Sequence, residues 1–196
     1  MYRRPLLVRQ LVKKLEQTRP KKIWLFADGP KNPQEQSFVE LARRAAEQEI
    51  TWFCDVRRVY STVNLGLRRR LETGLDLVFS CDPEAMIFEE DCHPTREFFP
   101  FCEEMLSRYR DEARVGCISG GCFLPKETET NTDYYFSRYS HIWGWATWAR
   151  AWNSYDRQNW SWPQGGFRAF FPNAEKREIQ YWNRIFHRLD TGEIDT

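Results

Sequence analysis

Three consecutive carboxylates, Glu89, Glu90 and Asp91, follow the apolar run "AMIF" and precede Cys92-His93-Pro94. Neighbouring carboxylates repel each other, so a positive partner is needed to stabilise the arrangement. Mn²⁺ or Mg²⁺ suits this need, because Mg²⁺ often takes one or two protein carboxylates and fills its other positions with phosphate and water. A solvated acidic turn explains the residues equally well. General acid/base catalysis fits less well, since neighbours in sequence rarely face each other as an acid and a base must.

The hydrophobic pattern predicts an α/β fold that places these acids at the end of a strand. Helices are predicted over residues 5–17, 32–48, 63–78 and 98–109, and strands over residues 23–27, 50–56, 85–90 and 114–120. In the second helix, Phe38, Leu41, Ala42 and Ala45 are expected to face inward. Alternating strands and helices imply a mostly parallel sheet flanked by helices, with ligands at the carboxyl ends of the strands. Asp28, Asp55 and the three acids would then gather on one rim.

The last third of the sequence has a different character. Residues 123–135 and the stretch "WSWPQGGF" are polar or rich in turn formers and predict loops. The segment "HIWGWATWARAW" is rich in tryptophan, and on a helix Trp145 and Trp148 would share one face, with at least one of them in the core. A final amphipathic helix is predicted, with Asn173 as its N-cap, Gly192 as its stop and an apolar face of Ile179, Trp182, Ile185, Phe186 and Leu189.

Composition narrows the class of protein. The 196 residues carry a formal net charge of +1, which argues against a nucleic-acid binder. The six cysteines form no C-x-x-C pair, so we expect reduced, buried thiols in a cytosolic protein rather than a zinc site. No stretch approaches the roughly 20 apolar residues of a membrane helix. We therefore expect no transmembrane segment, while contact with the inner face of a membrane stays open.

As a set, these features resemble a nucleotide-sugar glycosyltransferase of the GT-A fold. The sequence "EEDCHP" is similar to the motif E-D-D-C-x-P of bacterial family-2-like glycosyltransferases related to N-acetylglucosaminyltransferase I, with Glu90 as a conservative departure. The resemblance spans almost the whole chain and includes "FADGP", "RRVYSTVNLGLRRRLETGLDLVF" and the tryptophan-rich segment. It implies a single GT-A-type (Rossmann-like) domain over 1–196, with a nucleotide-binding part at 1–122 and an acceptor-side part at 123–196.

The resemblance also assigns roles to residues. Asp91 would be the main ligand of Mn²⁺ or Mg²⁺, which bridges to the diphosphate of a nucleotide-sugar, with a UDP-sugar favoured. The remaining nucleotide-sugar contacts would come from Asp28, Arg58, Asn64, Gly66, Glu89 and Glu90. His141, Trp143 and Trp145 would lie on the side of a glycan or lipid-linked acceptor.

In the family, the catalytic base of an inverting transferase lies just after a segment similar to "GEIDT" at residues 192–196. We therefore expect the base beyond Thr196, with Asp195 as the candidate inside the chain. The chain would be a fragment of a longer enzyme or a natural short form. The activity implied is transfer of a hexosyl or N-acetylhexosaminyl group in cell-envelope polysaccharide biosynthesis. The alternatives are a non-catalytic module that binds nucleotide or glycan and, ranked last for want of a glycine-rich phosphate loop, a nucleotidyltransferase.

Overall fold

A computed structural model describes residues 1–123, 132–155 and 166–194 of the chain. The chain forms two compact units, Met1–Ser154 and Tyr155–Thr196. The first unit contains α-helices and two small sheets, so the α/β class predicted from the sequence is confirmed. The prediction of a single domain over 1–196 stays a prediction.

The first sheet of this unit is a parallel pair built from neighbouring segments of the chain. Its strands β1 and β2 run in register from Lys22↔Asp55 to Ala27↔Tyr60. Valine, isoleucine, leucine and alanine side chains of these elements pack into one core cluster. The elements in order are α1 (Pro5–Glu16), β1 (Lys22–Ala27), a short 3₁₀ turn (Pro33–Glu35), α2 (Gln36–Glu49) and β2 (Asp55–Tyr60).

The second sheet has three antiparallel strands, β3 (Glu84–Ile87), β4 (Ile118–Ser119) and β5 (Trp145–Trp148), in the order β3-β5-β4. The last strand in sequence therefore lies between the two earlier ones. The elements here are α3 (Leu67–Cys81), β3 (Glu84–Ile87), α4 (Phe98–Arg108), β4 (Ile118–Ser119), β5 (Trp145–Trp148) and α5 (Ala149–Trp152). The described residues thus contain a parallel pair and an antiparallel sheet where one mostly parallel sheet was expected.

Strand β5 is buried along its whole length and connects two core clusters. Trp145 packs with Leu75, Val78 and Phe79 of α3. Trp148 packs with residues of α4, and its indole N–H donates to the Leu106 carbonyl at 3.1 Å. The helical reading of this segment was wrong, because a short run of buried residues has no periodicity that separates a strand from a helix. The expectation that at least one of the two tryptophans is core is confirmed.

Two further predictions about local structure were wrong. The second strand begins at Asp55 instead of ending there, so Asp55 lies at the opposite end of the parallel pair from Asp28. In α2 the buried residues are Val39, Ala42, Ala45 and Ala46, while Phe38 and Leu41 are about half exposed. The three alanines let α2 approach the rest of the core closely, and this turns the two large side chains outward.

The second unit, described over residues 155 and 166–194, is built from α6 (Phe167–Phe170) and α7 (Lys176–Asp190). Phe167 stacks on Trp182 with ring centroids 5.8 Å apart, and its backbone N–H donates to the Asn183 side chain at 2.9 Å. The N-cap of α7 is Glu175, which forms a capping box with Glu178, so the assignment of Asn173 was wrong. Gly192 (φ 69°) follows the helix end as predicted.

The cysteines are less buried than expected. Cys92 and Cys102 are buried, Cys54 and Cys117 are intermediate, and Cys81 and Cys122 are exposed. The prediction of burial was therefore wrong for the last two. Within the ranges that the structure describes, none of the helices is both long enough and apolar enough to cross a bilayer.

Candidate functional site

Asp28 forms a turn at the carboxyl end of β1, here named the Asp28 turn (residues 28–30). Its carboxylate is only 7% exposed and accepts three backbone hydrogen bonds. One oxygen accepts the N–H groups of Gly29 at 3.0 Å and Leu65 at 2.8 Å, and the other accepts that of Gly66 at 3.0 Å. Asp28 therefore fixes the entry to α3, and its carboxylate is engaged by the protein's own backbone.

Asn64 and Gly66 belong to the same network. The Asn64 amide donates to the Gly29 carbonyl at 2.8 Å. Gly66, the N-cap of α3, has φ 78°, and a Cβ there would meet no heavy atom within 4 Å. Glycine is required for its backbone conformation rather than for space. The structure thus brings three of the sequence-predicted residues together, in contacts that hold the turn.

Two arginines beside this turn were not identified from the sequence. Arg43 donates to the carbonyls of Asp28 (3.1 Å) and Ser61 (2.6 Å), and Arg70 donates to the Val59 carbonyl at 2.7 Å. Burial lowers the pKa of the Arg70 guanidinium, while the Asp28 charge raises it. Both are long, half-buried side chains that satisfy carbonyls at the strand ends, a role that no short sequence motif specifies.

The three acids lie in the acidic turn, defined as residues 89–92, which follows β3 and is closed by the Cys92 N–H donating to the Glu89 carbonyl at 3.0 Å. The strand register determines its neighbours. Ile87 pairs with Trp145, so Trp143, two residues earlier on the antiparallel strand, falls beside the turn. The ends of β3 and β4 and the start of β5 therefore meet at one edge of the sheet.

Glu90 has a positive partner, the guanidinium of Arg4. Its side chain is 6% exposed and accepts the Tyr2 backbone N–H and the Arg4 Nε, each at 2.5 Å. The neighbouring Met1 carbonyl accepts the Asp28 N–H at 3.2 Å. The segment 1–4 therefore joins the Asp28 turn to the acidic turn. The sequence offered one signal of this, a charged residue directly before the proline that opens α1.

Asp91 is held differently, by two side chains. Its carboxylate, 33% exposed, pairs with Arg4 Nη1 at 3.0 Å and accepts the Trp143 indole N–H at 3.2 Å. Burial is the largest single influence and pushes the pKa of Asp91 upward, but the hydrogen bonds from Trp143 and Arg4 together bring it below its ordinary value. Asp91 is therefore held in its charged form.

The pKa of Glu89 is shifted in the opposite direction from that of Asp91. Burial, and next the charge of Asp91, raise the pKa of Glu89 above its ordinary value of 4.5. The acidic turn thus contains one paired and buried acid, one paired and partly open acid, and one acid whose charge is unfavourable in the fold. A cation that entered here would favour ionisation of Glu89.

Asp91 opens onto a cleft of about 270 Å³. Apolar rings of Phe88 and Phe98 line one part of it, and His93, Gly120 and the 62%-exposed indole of Trp143 line others. The volume lies just under the ~300–1,000 Å³ usual for small-molecule sites. An apolar wall and an exposed indole suit the apolar face of a sugar ring, and one convergent carboxylate can accept hydrogen bonds from its hydroxyls.

Several sequence-predicted residues lie elsewhere. Arg58 pairs with Glu47 of α2 at 3.2 Å and donates to the Val56 carbonyl. Trp145 is 8% exposed and packs in a core cluster with residues of α3. The His141 ring stacks on Phe123 with centroids 4.1 Å apart. Asp195 lies outside the described residues.

The three acids do not converge as a ready-made metal centre. Glu90 turns toward segment 1–4, and within the part of the chain that the structure describes, no group of three or more His, Cys, Asp or Glu side chains could hold a metal ion. At the edge of the cleft, the set of metal-ligating groups is therefore reduced to the two carboxylate oxygens of Asp91, which are hard donors. That set fits Mg²⁺ or Mn²⁺ only as an ion that brings further oxygen ligands with it.

Comparison of the chain with family models, with curated proteins and with solved structures finds no match in any of the three.

Proposed function

We propose that this chain is a metal-dependent glycosyltransferase domain that moves a sugar from a nucleotide-diphosphate sugar to a glycan or lipid-linked acceptor. The observation that carries the proposal is the placement of Asp91, an ionised and partly open carboxylate beside an exposed indole at the mouth of a cleft. The proposal includes the finer assignment to the GT-A fold, a UDP-sugar as donor, inversion at the sugar carbon and a cytoplasmic location.

The residues fit Mn²⁺ or Mg²⁺ in one arrangement. Asp91 would be the main protein ligand, with the half-buried Glu89 next to it, and diphosphate and water would complete the shell. When bound, the ion would neutralise the charge that develops on the leaving diphosphate. Trp143 would hold a sugar by its apolar ring face, and the phenylalanines of the cleft would exclude water.

The test is titration calorimetry with UDP, GDP and dTDP, each with and without Mn²⁺. We expect at least one nucleotide to bind and its affinity to rise with metal. In Asp91→Asn the metal-dependent part should vanish, whereas the control Asp55→Asn, on an exposed side chain at the start of β2, should behave as wild type. If no nucleotide binds in the presence of metal, the proposal fails.

One observation favours a second candidate, a module that binds a nucleotide or glycan without transferring it. Among the described residues that line the cleft, Asp91 is the only carboxylate, whereas the family resemblance implies a second carboxylate, the base of an inverting transferase, besides the metal ligand. Nuclear magnetic resonance of UDP-sugars incubated with the protein, Mn²⁺ and glycan acceptors separates the two. Nucleotide binding with no release of UDP would favour the module, and release of UDP would favour the transferase.

A further inference from the structure

Arg4 occupies an unusual place for a residue that precedes a helix. It is the N-cap of α1, yet its side chain makes no capping bond and reaches instead to the acidic turn. Its Nε lies 2.5 Å from a Glu90 oxygen, and its Nη1 lies 3.0 Å from a carboxylate oxygen of Asp91. The guanidinium is thus anchored by a buried acid on one side and touches the partly open acid on the other.

The anchor keeps this positive charge in place. Glu90 is 6% exposed and also holds the Tyr2 backbone N–H, so the acid cannot leave without losing two partners. The Arg4 side chain is 49% exposed, so it remains accessible to solvent while it contacts Asp91. The guanidinium also carries two N–H groups on Nη2, which are of a kind that donates to phosphate oxygens.

The positive charge of Arg4 repels a bare divalent cation and attracts a metal–nucleoside diphosphate complex. A bare divalent cation that approaches Asp91 is repelled by the guanidinium and competes with it for the carboxylate. A metal ion already bound to a nucleoside diphosphate carries net negative charge and offers phosphate oxygens to the same guanidinium. The geometry therefore favours the complex over the free ion.

We propose that Arg4 makes Asp91 select a metal–nucleoside diphosphate complex and reject the bare divalent cation. The inference rests on the proposed function, since it assumes that Asp91 takes metal and diphosphate. Arg4 acts here as a positioning residue for the ligand's charge. Metal and nucleotide would consequently enter together rather than metal first.

The test compares Arg4→Met with Arg9→Met. Arg9, on the same helix, is similarly exposed (46%) and pairs with Glu49 at 2.8 Å, which makes it a matched control without contact to Asp91. Bare Mn²⁺ binding is measured by the paramagnetic resonance signal of the free ion, and Mn²⁺–UDP binding is measured by calorimetry. In Arg4→Met we expect bare Mn²⁺ to bind about tenfold more tightly and Mn²⁺–UDP about tenfold more weakly, while Arg9→Met should match wild type.

A second variant guards against loss of folding. Arg4→Met leaves Glu90 as a buried charge, so the double variant Arg4→Met/Glu90→Gln removes that charge and keeps an oxygen for the Tyr2 N–H. Circular dichroism verifies the fold, and the opposite shifts of the two affinities should persist. Unchanged bare-ion binding in both variants overturns the role of Arg4, even if Mn²⁺–UDP binding weakens. If wild type binds no Mn²⁺–UDP, the proposed function itself fails, which is a separate outcome.

Discussion

Two turns at strand ends use an aspartate in opposite ways. In the Asp28 turn, the carboxylate is buried and is held by three backbone N–H groups. In the acidic turn, Asp91 is a third exposed and is held by two side chains, Arg4 and Trp143. Backbone donors cannot leave without unfolding the turn, whereas the exposed Trp143 side chain can rotate away from Asp91. The first carboxylate therefore has a structural role, while the second could exchange its contact with Trp143 for the ligand proposed above.

The largest expected effect comes from Asp28→Ala. Three backbone N–H groups would lose a charged acceptor in a buried place, so we expect the free energy of unfolding to fall by about 4 kcal/mol. Urea denaturation followed by circular dichroism measures this. The control Asp55→Ala, on an exposed side chain, should change stability by less than about 0.5 kcal/mol. A loss of stability under about 1 kcal/mol for Asp28→Ala would contradict the structural role assigned to the Asp28 carboxylate.

Replacing a glycine should likewise cost more stability in the Asp28 turn, at Gly29, than beside the cleft, at Gly144. A Cβ on Gly29 would lie 2.5 Å from the Val63 carbonyl carbon, a backbone atom that cannot move aside, so Gly29→Ala should cost about 2–3 kcal/mol. Gly144 beside the cleft has φ 71° and open space, so Gly144→Ala should cost only the backbone strain, about 1 kcal/mol. Urea denaturation of both variants tests the order, and equal losses would contradict it.

Glu89→Gln tests whether the negative charge of Glu89 destabilises the fold, through the pH dependence of the free energy of unfolding. The pKa of Glu89 is raised above 4.5, so the folded state binds its proton more tightly than the unfolded state does. The ionised group therefore costs stability at pH 7, and this cost is relieved as the pH falls through the folded pKa toward 4.5. In a metal-free buffer, Glu89→Gln should be more stable than wild type at pH 7, by less than about 1 kcal/mol.

That advantage should shrink steadily as the pH approaches 4.5. Glu104→Gln, at an exposed site on α4, serves as the control for replacing a glutamate away from the acidic turn. A Glu89→Gln advantage that is independent of pH would mean that the gain has another cause than the lost charge.

The smallest effect on stability is expected for Trp143→Phe, because this side chain is 62% exposed. The change should stay within about 0.5 kcal/mol. The readout that matters is the pKa of Asp91 from a carbon-13 titration of its carboxyl group. Loss of the indole N–H should move that pKa upward, toward its ordinary value of 3.8. An unmoved pKa would mean that Trp143 does not hold Asp91 in solution.

Much of the fold follows from the sequence because the periodic elements are self-contained. Helix α1, strand β1 and helix α4 lie within a residue or two of their predicted bounds, since each carries its own start signal or apolar stripe. Strand β2 and the tryptophan strand β5 were misplaced for a different reason. Their state depends on partners distant in sequence, and a single stretch of residues does not encode its pairing.

In the candidate site too, local relations could be predicted from the sequence, whereas contacts between distant residues could not. The positions of Asp28, Asn64 and Gly66 near one another follow from the strand–helix order. The contacts of Arg4 could not be foreseen, because 86 residues separate it from Glu90 and no motif links them. The role of Arg58 in nucleotide-sugar binding stays a prediction; in the structure it pairs with Glu47, while the half-buried Arg70 lies beside the Asp28 turn.

The position of β5 also has a consequence for the order of folding. The β1–β2 pair joins segments about thirty residues apart and can form early, as local pairings do. The acidic turn acquires its neighbours only when residues 145–148 insert between β3 and β4. During synthesis on a ribosome, the Asp28 turn would therefore form first, and the cleft beside the acidic turn would form only after residues 145–148 have emerged.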